Sequence, residues 1–180
     1  MRIIAQKNNN LNTQDFFYNA QDFFYNALTK DYIDAINLSI TYTKDNKIVI
    51  FNSPSAGGAI TNTINTSTFG ELQEYEIILL EEVLRNLNEN PIKKDLYINL
   101  TPSNPIILND TNIQEVTKQM NNYVDEVKQI IDKYKNLTIN LHSNSRNLVS
   151  ILKQRITNYK IGFSITGNDF NFIDVDYYVL

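Results

Sequence analysis

The chain has 180 residues, a formal net charge of −4 and no cysteine. This excludes a disulfide scaffold and a thiolate metal centre, and argues against a nucleic-acid partner, which calls for a basic face. One histidine, His142, is too few for a His-rich zinc site, no apolar run approaches a membrane span, and the first residues turn polar by Lys7, so a cytoplasmic protein without signal peptide is expected.

The length suits one domain over residues 1–180. Asn, Ile, Lys and Tyr are frequent and Gly and Pro scarce, the pattern of an AT-rich, bacterial coding sequence. The asparagines stand between periodic apolar positions rather than in low-complexity runs.

Residues 2–5 read as a short strand, followed by a polar loop. Thr13 can cap a helix running to about residue 28. That helix holds the tandem repeat QDFFYNA at 14–20 and 21–27. Seven residues are nearly two helical turns, so both copies keep Phe16, Ala20, Phe23 and Ala27 on one face.

Residues 35–53 are the most informative stretch. Ile36, Leu38, Ile40 and Tyr42 alternate with Asn37, Ser39 and Thr41, the period of a half-buried strand. Residues 43–47 supply a turn, and 48–51 form a second strand. Small polar residues stand at Asn37 and Ser39 inside the first strand, and at Asn52 and Ser53 just past the second. Gly57 and Gly58 in the next loop lack the Lys-Ser/Thr of a phosphate-binding loop and read as a flexible connection.

A helical turn is predicted at 69–75, an amphipathic helix at 79–87 and a strand at 95–100. A long helix follows at 113–134, with Ile113, Val116, Met120, Tyr123 and Val127 facing inward. A strand at 137–141, a helix at 145–156, a strand at 160–166 and a last strand at 173–180 complete the chain.

Strands alternating with helices of this length define an α/β protein built of βα units around a parallel sheet. Right-handed crossovers wind such units into a doubly wound sheet or a barrel. In either, a site lies at the carboxyl ends of the strands. Those ends carry Gln6 and Lys7, residues 39–41, residues 99–101, His142 and Ser143, and residues 166–168.

These segments resemble a known family. IIAQKNNN with the following NT resembles I-I-A-H-R-G and E-N-T, the opening of the glycerophosphodiester phosphodiesterases. DAINLSITYTKDNKIVIFNSPS resembles their D-A-I-E-L-D-V-x-x-T-K-D-G-x-x-V-x-x-H-D. STFGELQEYE, IILLEEVLRNL, LYINLT and INLHSNSRNLVSIL are similar, in the same order, to later family segments, so the resemblance runs from residue 2 to about 150.

The resemblance implies a TIM-type (β/α)8 barrel with a small insertion after the second strand, here about residues 54–75. It implies hydrolysis of glycerophosphodiesters, with a carboxylate-held divalent cation and two histidines as general acid and base. The chain departs from that pattern at the chemistry. The family's first histidine and arginine fall on Gln6 and Lys7. Its second-strand Glu and Asp fall on Asn37 and Ser39, its second His and the Asp after it on Asn52 and Ser53. The third-strand Glu and following Lys fall on Asn99 and Thr101. The three metal-binding carboxylates, at Asn37, Ser39 and Asn99, become neutral, and neither Gln6 nor Asn52 can carry a proton near neutral pH. Lys7 keeps a cation without the bidentate fork. No family catalytic position falls on His142.

The expectation is therefore a catalytically inactive member of a lipid-metabolism family, without catalytic residues, metal or cofactor. It would act as a binding or interaction module for a small polar or anionic ligand. Two other readings stand beside it: a hydrolase with a relocated site at His142 and Asp169, Asp174 or Asp176, and an unrelated α/β protein. Six parallel strands can be placed where a full barrel needs eight. The gap is filled by a partner or a second copy of the chain, or the sheet stays open, or the sequence is cut from a longer chain.

Overall fold

The computed structural model describes residues 4–6, 29–51, 64–75, 77–89, 94–102, 113–165 and 173–179. The repeat at 14–27, Lys7, Asn52, Ser53, residues 54–63 of the insertion, and Asp169 lie outside the described residues.

Period-two alternation gives the strands, and β2 (Ala35–Tyr42) shows it most clearly. Ile36, Leu38 and Ile40 are buried, while Asn37 and Ser39 on the opposite face are half-buried. A turn at 43–47 reverses the chain, with Asn46 at φ 58°, a conformation Asn tolerates. β3 (Ile48–Ile50) then returns antiparallel to β2, pairing Tyr42 with Ile48. β4 (Ile78–Leu79) extends that ribbon and is missing from the sequence reading, which assigns it to the following helix.

The parallel strands are β1 (Ile4–Gln6), β2, β5 (Asp95–Leu100), β6 (Ile139–Ser143), β7 (Lys160–Ser164) and β8 (Tyr177–Val179). Each lies beside the next parallel strand of the chain. A doubly wound sheet reverses its order at a switch point, whereas this order never reverses and is that of a barrel wall. β1 and β3 share one edge of β2, along its first and second halves. Among the described residues β8 does not pair with β1, so the wall is an incomplete barrel, as expected.

Three helices cover the apolar face: α1 (Leu80–Glu89), α2 (Ile113–Ile131) and α3 (Arg146–Arg155). In α2, Val116, Met120, Tyr123, Val127 and Ile131 recur at helical spacing and are buried. They meet Ile98, Leu100 and Leu141 in one core, where each fully buried aliphatic side chain contributes roughly 2 kcal/mol. Ile113, expected to face inward, is 46% exposed, because the first turn of α2 precedes the stretch that packs on the sheet. Ser145 caps α3 by accepting from Leu148 N at 3.4 Å. Arg155 forks onto both oxygens of Asp125, tying the end of α3 to α2.

The insertion is anchored where it is described. Lys44 N donates to Ser67 O at 2.9 Å, and Phe69 N donates to Asp45 Oδ1 at 2.9 Å. A 3-10 helix at Gly70–Tyr75 matches the predicted helical turn. A second core of Val49, Phe51, Ile64 and Leu72 sits beneath it.

Of the strand boundaries that differ from expectation, two have identifiable causes. Leu137 N donates to Tyr134 O within a turn, so β6 spans residues 139–143 rather than 137–141, and His142 lies inside the strand. Asp176 Oδ2 accepts from Ile161 N at 2.7 Å, so β8 begins after it rather than at 173.

Candidate functional site

Cross-strand partners point to the same side of a sheet, as do residues two apart. On the face away from the helices, Asn37, Tyr97, Asn140 and Lys160 form one row. Ser39, Asn99, His142, Gly162 and Tyr177 form the next. The expected site residues Asn37, Ser39 and Asn99 are thus brought together on the inner wall. Gln6 joins them through its backbone pairing with Asn37. Thr101 continues from Asn99 past the end of β5, its N–H donating to Ile40 O at 3.0 Å.

His142 sits among them, 1% exposed. Its Nε2 lies 3.1 Å from Asn37 Oδ1, and its Nδ1 lies 2.6 Å from Ser164 Oγ. An amide oxygen only accepts, so Nε2 carries the proton, and bare Nδ1 accepts from the serine hydroxyl. Burial pushes the imidazole down to about 4, so the ring is neutral at neutral pH. Asn99 Nδ2 donates to Ser39 Oγ at 3.3 Å, while Asn99 Oδ1 is buried without a partner among the described residues.

Aromatic rings fill the wall beside this cluster. Tyr177 donates to Leu141 O at 2.9 Å and meets Tyr97 edge-on, with 5.5 Å between ring centres. Its ring covers Gly162 so closely that a Cβ there would lie 2.4 Å from it. A cleft of about 520 Å³ opens at the amino ends of β5 to β8, bordered by Asp95, Asn140, Lys160 and Tyr177. Of the expected site residues that are described, Asp176 borders it, while Asn37, Ser39, Asn99, Thr101 and His142 do not.

A hard divalent cation takes several charged oxygens, and the donors here do not fit one. Asn37 Oδ1 is engaged with His142, Ser39 Oγ accepts from Asn99, and all three side chains are neutral. Among the described residues no group of three His, Cys, Asp or Glu side chains could hold a metal ion. Of the carboxylates considered as partners of His142, the two that are described are engaged elsewhere. Asp174 pairs with Lys153 at 2.5 Å, which lowers its carboxyl, and Asp176 holds Ile161 N.

Sequence reasoning missed Ser164 and Tyr177. The signal was present: alternation through Lys160–Ser164 places Gly162 and Ser164 on the same face as His142.

No protein-family model matches the sequence, and no curated protein matches it. Solved structures do. A glycerophosphodiester phosphodiesterase from Parabacteroides distasonis superposes with a TM-score of 0.61 at 12% identity, over 91% of this chain and 64% of that one. A phosphodiesterase from Oleispira antarctica, in complex with the product sn-glycerol-3-phosphate, gives 0.64 at 14% identity, over 93% and 67%. A glycerophosphodiester phosphodiesterase from Thermotoga maritima gives 0.53 at 18% identity, over 82% and 54%. The chain has the fold of the glycerophosphodiester phosphodiesterases, whose barrel it follows for roughly two thirds of the Parabacteroides protein's length.

Proposed function

We propose that residues 1–180 form one glycerophosphodiesterase-like domain that lacks metal-dependent hydrolysis and binds a small polar or anionic ligand. The observation that carries this reading is the cluster of Asn37, Ser39 and Asn99. On the alignment to the family they stand at its carboxylate positions, and they gather on one wall where their side-chain hydrogen bonds run to neutral groups, Asn37 to His142 and Asn99 to Ser39. Asn99 Oδ1, without a partner among the described residues, is an acceptor for a ligand hydroxyl or amine, and Lys7 would supply the cation for an anionic group. Self-association through the incomplete barrel edge is a further part of the proposal, supported by a wall that, among the described residues, stops short of closure.

The test is hydrolysis of glycerophosphocholine with calcium. We expect no product above a protein-free blank, together with saturable heat on titrating glycerol 3-phosphate. Calcium-dependent turnover would overturn the proposal. A second reading, a hydrolase with its site relocated to His142, is favoured by the contact between His142 and Ser164.

A further inference from the structure

Three inner-wall side chains stand in line across the barrel. Ser164 comes from β7, His142 from β6 and Asn37 from β2, and the two hydrogen bonds joining them measure 2.6 Å and 3.1 Å. We propose that Ser164 is a nucleophile, with His142 as its general base and Asn37 as the positioning residue, and that the trio takes the acyl or phosphonyl group of an uncharged activated ester.

The direction of the hydrogen bonds carries the argument. Asn37 Oδ1 fixes the proton on Nε2, so the Nδ1 lone pair faces the Ser164 hydroxyl. A nucleophile touching a base that is itself held by a third group is the general signature of covalent catalysis. An amide serves as that third group in cysteine–histidine–asparagine hydrolases. Placement agrees: Ser164 ends β7 at the carboxyl side of the wall, where barrel sites lie, and is half-buried rather than fully buried. His142 is shielded from water and stays neutral, which leaves its lone pair free but also makes it a weak base, one reason for slow reaction. Ser39 and Asn99, which neighbour Asn37 and His142 in the strand register, are uncharged and set no requirement for a charged substrate.

In the acylation step a bond forms from Ser164 Oγ to the substrate's acyl carbon, and the bond to the leaving alcohol breaks. The hydroxyl proton passes to His142 Nδ1 and on to the departing alkoxide. Nε2–H stays on Asn37. The backbone N–H after the nucleophile is already used, since Ile165 N donates to Val179 O at 2.8 Å. It cannot stabilise an oxyanion, so acylation is slow and is read as labelling rather than turnover.

The experiment treats the full chain at neutral pH with an uncharged fluorophosphonate. The serine oxygen bonds to phosphorus, and fluoride leaves with the proton. Intact mass and peptide mapping should show one adduct, on Ser164, absent in Ser164→Ala. His142→Gln should slow labelling about a hundredfold or more. Asn37→Leu should also slow it, with Asn37→Asp recovering part of the rate by restoring an acceptor for Nε2–H. Circular dichroism checks that each variant is folded. No adduct on Ser164, or one forming equally fast in folded His142→Gln, overturns the proposal. The proposal does not depend on the binding reading, because calorimetry with glycerol 3-phosphate on Ser164→Ala tests that separately.

Discussion

Asn99 donates to Ser39 from one end of its amide and buries the other end with no partner among the described residues. Both residues face the inner wall, one on β5 and one on β2. An unsatisfied buried acceptor costs about 1–3 kcal/mol, more than the single hydrogen bond of its amide nitrogen returns. Such a residue destabilises the fold unless something else meets it, which is the expected condition of a binding position between ligands.

Asn99→Leu should therefore stabilise the protein by about 1 kcal/mol, since it replaces the orphaned amide with an apolar group of similar size. It should also weaken glycerol 3-phosphate binding. Urea denaturation measures the first effect and calorimetry the second. A loss of stability of about 1 kcal/mol or more would show that the amide is fully satisfied and has no ligand role.

His142 makes stability depend on pH. Burial lowers its folded value from 6.5 to about 4, so between these limits the unfolded chain binds more protons than the folded one. The stabilisation is complete above 6.5 and declines as pH falls towards about 4, by about 3 kcal/mol in total. Urea midpoints at pH 7 and pH 4.5 should differ accordingly, and the difference should shrink in His142→Gln. An unchanged difference in the variant would place the titration on other groups.

The wall itself was legible because parallel strands leave strong local marks. Alternation in Ala35–Tyr42 and Asp95–Leu100 gave both strands their bounds, and the register follows from which face is apolar. The site was legible in part. Asn37, Ser39 and Asn99 could be set against family positions one strand at a time. His142 could not, because its role depends on Asn37 and Ser164, which lie 105 and 22 residues away along the chain. Only the curvature of the wall brings β2 within reach of β6, and no local pattern encodes that approach. Tyr177 escaped for a similar reason: nothing in its own segment shows that a glycine on the preceding strand leaves room for its ring.

Calcium should have no effect on the natural chain. Five millimolar, taken as about a thousandfold excess for a micromolar site, would add about 4 kcal/mol of stability if a site existed. We expect the melting temperature to stay within about 1 °C of its value in EDTA. The double variant Ser39→Asp, Asn99→Glu should behave otherwise. Side chains at these positions are in contact, so two carboxylates there repel each other and melt the protein at lower temperature in EDTA. Calcium should restore part of the loss. A calcium shift in the natural chain would contradict the donor count at this wall.

Gly162 and Tyr177 form a matched pair. A Cβ at position 162 would lie 2.4 Å from two ring atoms of Tyr177, and that ring is held by its bond to Leu141 O and its contact with Tyr97. Gly162→Ala should cost about 1–3 kcal/mol through overpacking. Tyr177→Leu alone should also destabilise, by removing the ring and its hydrogen bond. Combined, the two changes should cost less than their sum by about 1 kcal/mol or more, because the smaller side chain makes room for the methyl group. Urea denaturation of the four proteins closes the cycle. Strict additivity would mean that Gly162→Ala acts through the backbone of β7 and not through the ring, and the fit of Tyr177 against β7 would then not be what requires a glycine at 162.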